Sequence, residues 1–241
     1  MKHIVIALSV LFAGSQALAQ TVNAPAINAG DSWTYRVTVE KGTSGWNQSR
    51  DEVTVSRVTA SSIYYTSKPS GSTQPPKDLF SGLDWSRLRD VNGKETVVNK
   101  PLEFPLTAGR SWEIDYIEQH PNKVHKSEQW NTKYIVLGFE TIEVPAGTFN
   151  AIKVESEGHW TAELEPMQTV VQGASSTADS TAMVTQTQKA RTEPAAGRTY
   201  KAFWYAPEVK RWVKSIEEYY SAGGVRNERF TQELESFHVS Q

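Results

Sequence analysis

The sequence predicts an all-β protein, and three observations carry the prediction. Apolar residues recur with a period of two along most of the chain. Turn-forming residues separate the alternating runs. Beyond the N-terminal segment, no stretch of ten or more residues sustains a 3.6-residue apolar stripe. The expected architecture is a strongly curved antiparallel sheet or incomplete β-barrel with at most one short helix.

The chain opens on an export signal. Lys2 supplies the positive start, Ile4 to Ala13 is an unbroken apolar run, and Ala17-Leu18-Ala19 is a small-x-small cleavage site. The apolar run is about ten residues, half of what a membrane-spanning helix needs. Residues 1–19 are therefore read as a signal peptide cleaved after Ala19, and 20–241 as a single β domain in the periplasm or secreted. No cysteine follows the cleavage site, so no lipid anchor is expected, and no later apolar run is long enough to span a bilayer.

The strands follow in order. Trp33, Tyr35, Val37 and Val39 alternate with polar residues, and Val53 and Val55 do the same. Ile63 to Thr66 is a further β-rich run. Asn92-Gly93 joins two short runs and favours a type I′ hairpin. Trp112, Ile114 and Tyr116 alternate with Glu113 and Asp115. Runs at Tyr134 to Phe139, Thr141 to Val144 and Phe149 to Glu155 come next, and Lys201 to Tyr205, Val209 to Tyr220 and Arg226 to Val239 close the chain. Ser221-Ala222-Gly223-Gly224 is a good hairpin connection between the last two. The one helix candidate is Leu79 to Arg89, which Gly82 weakens. Gln168 to Arg198 is rich in Ser and Thr and reads as a long loop excursion with extended arms. Asn28-Ala29-Gly30-Asp31-Ser32-Trp33 and Thr107-Ala108-Gly109-Arg110-Ser111-Trp112 form a weak internal repeat, consistent with two related halves.

Composition narrows the function classes. The formal charge is −2, and −3 once Lys2 is removed, so neither a nucleic-acid surface nor a polybasic membrane surface is implied. There are no cysteines, which excludes disulfides and thiolate metal sites and leaves the core alone to hold an exported fold. Eight Trp, nine Tyr and eight Phe provide the large side chains such a core needs.

Three segments resemble domain-of-unknown-function family 3108, a group of bacterial periplasmic and secreted proteins. They are Pro105-Leu106-Thr107-Ala108-Gly109-Arg110-Ser111-Trp112, Val144-Pro145-Ala146-Gly147-Thr148-Phe149-Asn150-Ala151, and Trp204-Tyr205-Ala206-Pro207-Glu208-Val209. The closing Glu233-Leu234-Glu235-Ser236-Phe237 is similar to that family's last strand. The resemblance implies a curved sheet distantly like the half-barrels of lipoprotein carriers, and says little of function. Each motif also has a plain reading as a turn-and-core device: Pro145 opens a type I turn closed by Gly147, and Pro207 belongs at a strand end.

No motif for catalysis stands out, so the protein is read as non-enzymatic and nothing calls for a cofactor. There is no Gly-x-Ser-x-Gly elbow and no phosphate loop. His120 and His125, with Glu118 and Glu128, have no metal-ligand spacing and read as a solvated hairpin tip. Acid pairs drawn from Asp78, Asp84, Asp90, Glu113 and Asp115 would be needed for a hydrolase or glycosidase, the competing class alongside a carbohydrate-binding module. Trp33, Tyr35, Trp112, Tyr116, Trp204 and Tyr205 are the ligand-binding candidates. They either line a cleft for a lipid or other apolar molecule or pack as core, and packing is the stronger reading. The remaining partner class is an envelope protein docked on the sheet. Trp46 and Trp85 lie in turn-rich segments and are expected to be partly exposed.

Overall fold

The computed structural model describes residues 20–165, 168–177, 180–189 and 195–240. The signal peptide expected at 1–19 lies outside the described residues. The strands are β1 (Ser32–Lys41), β2 (Trp46–Val58), β3 (Ser62–Pro69), β4 (Lys77–Gly82), β5 (Arg87–Val91), β6 (Lys94–Asn99) and β7 (Ser111–Gln119), then β8 (His125–Val144), β9 (Gly147–Leu164), β10 (Gln168–Thr177), β11 (Ser180–Lys189), β12 (Ala195–Ala206), β13 (Arg211–Ser221) and β14 (Arg226–His238). Ten of them form one antiparallel sheet in the order β4-β3-β2-β1-β14-β13-β12-β9-β8-β7. The sheet is not closed: β4 and β7 are its edges. Among the described residues the only helices are two three-residue 3-10 turns, Gly42–Ser44 and Pro207–Val209.

The alternation does what the two-residue period requires. Trp33, Tyr35, Val53, Val55, Trp112 and Ile114 are all buried, and the residues between them face outward or are half-buried. The turns also follow their chemistry. Asn92 and Gly93 take φ of 55° and 81° between Val91 and its partner Lys94. Val144 pairs with Gly147 across Pro145-Ala146. Ala206 is extended before Pro207, where β12 ends.

The helix expected at Leu79 to Arg89 is absent. That stretch is the end of β4, a turn and the start of β5. Gly82 N donates to Ser86 O and Trp85 N to Gly82 O, both at 3.0 Å, and Trp85 takes φ of 60°. The turn drives Trp85 into the core, where it is 4% exposed; burial of a whole indole outweighs a weak helical tendency. The expectation that Trp85 is partly exposed is thereby corrected, while Trp46 is 69% exposed as expected. The Ser/Thr-rich excursion is more regular than a loop: β10 and β11 pair from Gln168↔Lys189 to Thr177↔Ser180, as a sheet of their own.

The internal repeat extends to hydrogen bonding. Asp31 N donates to Asn28 O, and Arg110 N to Thr107 O. Gly30 N donates to Val55 O, and Gly109 N to Val136 O, each at 2.8 Å. Val55 N returns a bond to Asp31 O, and Val136 N to Arg110 O, each at 2.9 Å. Gly30 and Gly109 have φ of 92° and 85°, a region open to glycine. The same turn therefore launches the β1-β2-β3 and β7-β8-β9 meanders.

Candidate functional site

At the start of β13 Arg211 enters the core among a cluster of aromatics, 6% exposed. Its guanidinium lies 4.4 Å from the Trp212 ring, 4.6 Å from Trp85, 5.2 Å from Tyr35 and 5.5 Å from Trp33. The ring faces supply the partial negative charge that no carboxylate provides here. Trp33 Nε1 donates to Val209 O and Tyr35 Oη to Trp212 O, so both polar tips are taken. Burial pushes the Tyr35 hydroxyl up to about 12, against the opposing pull of Arg211.

The six sequence candidates divide among five places. Trp33 and Tyr35 belong to the Arg211 cluster, and Tyr205, fully buried, packs edge-on against Phe104 at 5.3 Å. Trp204 lies under Lys153, 5.0 Å from the ammonium, with its Nε1 bonded to Glu140. Trp112 stacks on Tyr134 at 5.4 Å and donates to Lys100 O. Only Tyr116 borders an open groove.

That groove, of about 290 Å³, is built on a cross-strand row. Ile114 pairs with Thr132, Thr132 with Gly158, Gly158 with Thr199, and Thr199 with Tyr219. Gly158 lets the two threonines close in. A Cβ at that position would stand 2.4 Å from Thr199 Oγ1 and 2.8 Å from Thr132 Oγ1. The floor is thus a band of hydroxyls. Along one side runs a ladder of Tyr116, Trp130 and Trp160, with centroids 6.2 and 5.9 Å apart. The rings lie against one another, so mainly their edges remain for a ligand. Along the other side, Tyr134 pairs with Ser156 and Ser156 with Lys201. The buried Ser156 Oγ has no hydrogen-bond partner.

The β5–β6 hairpin forms the remaining wall. Its tip is tied to β7: Asn92 Nδ2 donates to Ile117 O and Gln119 N to Asn92 Oδ1, both at 2.8 Å. Arg89 pairs with both oxygens of Glu118 at 2.5 and 2.6 Å. At the base, Asn99 Oδ1 accepts from Tyr134 Oη and from Lys201 Nζ, each at 2.9 Å.

The charged side chains lining this groove are Arg87, Arg89 and Lys201. Arg89 is matched by Glu118 and Lys201 by Glu217 at 3.2 Å. Arg87 has no ion-pair partner among the described residues. Burial pushes the Tyr116 and Tyr219 hydroxyls up, so both stay protonated and able to donate.

The histidines do not converge on a metal. His125 Nδ1 is 2.6 Å from Glu128 Oε1, while His120 Nε2 is 3.4 Å from Glu165 Oε1. Among the described residues no group of three or more His, Asp or Glu could hold an ion. The groove residues Arg87, Asn99, Thr132, Thr199 and Lys201 went unread in the sequence. The Asn-Gly turn marked the hairpin, but where a hairpin folds over a sheet is a long-range property.

No family model and no curated protein matches the chain, so the resemblance to family 3108 rests on its three motifs. Among solved structures the chain is similar to a candidate lipoprotein of Parabacteroides distasonis, at 15% identity and a TM-score of 0.45, over 91% of this chain and 100% of that one. It is also similar to a candidate exported protein with a YmcC-like fold from Bacteroides fragilis, at 15% identity and a TM-score of 0.38, with the same coverage.

Proposed function

We propose that this is an exported, non-catalytic binding protein of the cell envelope, and that its ligand is a small polar molecule with an anionic group. The observation that carries this reading is the unmatched Arg87 beside a groove floored by Thr132 and Thr199. A carboxylate or phosphate would meet the guanidinium, and its hydroxyl or amide groups would meet the threonines and Asn99. The export signal at 1–19 supports the location. The aromatic residues first considered for a lipid or other apolar ligand support that alternative less, because five of the six are packed away in contacts of their own. A hydrolase has less support still, since His120 and His125 each hold a different carboxylate.

The test is native mass spectrometry of protein recovered from its own host's envelope, beside an Arg87→Gln variant. A small anion retained by the wild type and lost from the variant is the expected result. A copurifying neutral lipid held equally by both proteins would refute the reading.

A further inference from the structure

The two most exposed large apolar side chains of the described residues are Trp46 at 69% and Val225 at 66%. They are far apart in sequence and close in the fold. Trp46 ends the β1–β2 connection, and Val225 ends the β13–β14 connection. β1 pairs with β14 up to Lys41↔Glu228, so the two tips lie side by side. A Cβ on Gly42 would be 3.7 Å from the Asn227 carbonyl.

The tips share a composition. Residues 42–47 read Gly-Thr-Ser-Gly-Trp-Asn and 221–225 read Ser-Ala-Gly-Gly-Val, without a charge in either. The flanking residues that carry charge outward are Lys41 and Arg226. The carboxylates behind them are already engaged: Glu228 with Lys41 at 3.3 Å, and Glu40 and Glu218 with Arg226 at 2.8 and 3.0 Å. Trp46 stands clear of the body, with open space against Val39 and Asn47 on one side and against Thr38 and Gln48 on the other. At the same end of the sheet the β7–β8 connection adds Val124, 55% exposed, beside Lys123.

We infer that this end of the molecule seats on a lipid surface, with Trp46 and Val225 entering the interfacial zone of the bilayer. Three physical arguments select a membrane over a protein. A stable protein interface buries about 800 Å² on each partner with matched shape, and two neighbouring side chains on small glycine-rich tips do not supply that area. A bilayer requires no matched shape. Indole favours the headgroup boundary, where its ring is sheltered and its N–H stays wet. Lys41, Arg226 and Arg229 offset Glu228, Glu40 and Glu218, so the tips are close to neutral and meet little repulsion from anionic headgroups. The seat is peripheral and reversible, since no more than a few side chains enter.

The experiment is cosedimentation of the full mature chain with vesicles of phosphatidylethanolamine and phosphatidylglycerol, read beside quenching of tryptophan fluorescence by brominated lipid. Wild type is expected to bind and be quenched. Trp46→Ser with Val225→Ser should weaken binding at least tenfold, while Trp46→Phe keeps most of it. Both sites are exposed, so circular dichroism and the melting temperature of the variants should match wild type. Failure of wild type to sediment overturns the inference. So does undiminished binding by the double variant, or binding through Trp46 to a soluble glycan or protein in its place.

Discussion

Lys210 Nζ lies 3.3 Å from Asp31 Oδ2 and donates to the Ser240 carbonyl at 2.6 Å. One ammonium thus joins the turn before β1, the connection between β12 and β13, and the C-terminal tail. Asp31, with its side chain fully buried, also accepts from Asn28 N, Ser240 N and Ser240 Oγ. Lys210 reaches it from a left-handed backbone conformation, φ 60°.

Asp31→Ala is therefore expected to lower stability by about 3 kcal/mol, since it leaves the Asn28 and Ser240 amides without their acceptor and Lys210 without its counter-ion. Urea denaturation at neutral pH measures it. Burial alone would raise the Asp31 pKa, but the bonds from Asn28, Ser240 and Lys210 hold it below the ordinary carboxylate value. A lowered folded-state pKa means the contribution is present above the unfolded-state pKa, about 3.9, and is lost as pH falls through the folded-state value. The stability gap between wild type and Asp31→Asn should accordingly narrow on acidification below pH 4. A gap that widened there would contradict the bonding described.

Among the described residues Arg211 is a buried cation without a counter-ion, and its Nε and Nη1 have no hydrogen-bond partner. Its four aromatic neighbours compensate only part of the lost hydration. Arg211→Met keeps the length and removes the charge. It is expected to leave stability within about 1 kcal/mol of wild type, or to raise it. Arg211→Ala should cost about 3 kcal/mol through the cavity it opens among Trp33, Trp85 and Trp212. Thermal unfolding of the two variants side by side separates charge from volume.

Gly158→Ala places a methyl where the Thr132 and Thr199 hydroxyls sit. The expected cost is about 2 kcal/mol from overpacking. Adding Thr199→Ser keeps the clashing oxygen and should not rescue it. Adding Thr132→Ala and Thr199→Ala removes both clashing hydroxyls and should recover most of the loss. A double-mutant cycle reads the coupling directly. A Gly158→Ala variant as stable as wild type would show that the threonines do not stand this close.

Arg87→Gln should change stability by less than about 0.5 kcal/mol, because the side chain is exposed and unpaired. The same substitution should weaken binding of an anionic ligand about tenfold or more. Arg89→Gln differs: it also breaks the pairing to Glu118 that holds the hairpin, so it should loosen the β5–β6 amides in hydrogen exchange.

Much of the fold was legible because its determinants are local. Alternation at Trp33 to Val39 and at Trp112 to Tyr116 reports which side of a strand is covered, and Asn92-Gly93, Pro145 to Gly147 and Ser221 to Gly224 report where strands turn. The Leu79 to Arg89 stretch misled for a physical reason. Its capping and helix-forming residues are local, whereas the burial of Trp85 depends on Trp33 and Trp212, which lie far off in sequence. The site was harder for the same cause. Thr132, Gly158 and Thr199 come from three strands and have meaning only in register. Single Thr, Gly, Asn and Arg residues carry no pattern by which a chain can announce that they meet. The aromatics were the visible set, and most of them hold the sheet together.

The pairing of β1 with β14 sets a rule for when this molecule can exist as such. A sheet of ten strands has its latest-made strand lodged in the middle, between β1 and β13. Without β14 the strand order falls into two groups, β4-β3-β2-β1 and β13-β12-β9-β8-β7, with unpaired edges at β1 and β13. The ten-stranded sheet exists only when Arg226 to His238 joins the two groups. Losing a dozen residues from the C-terminus would undo the centre of the molecule rather than trim its border.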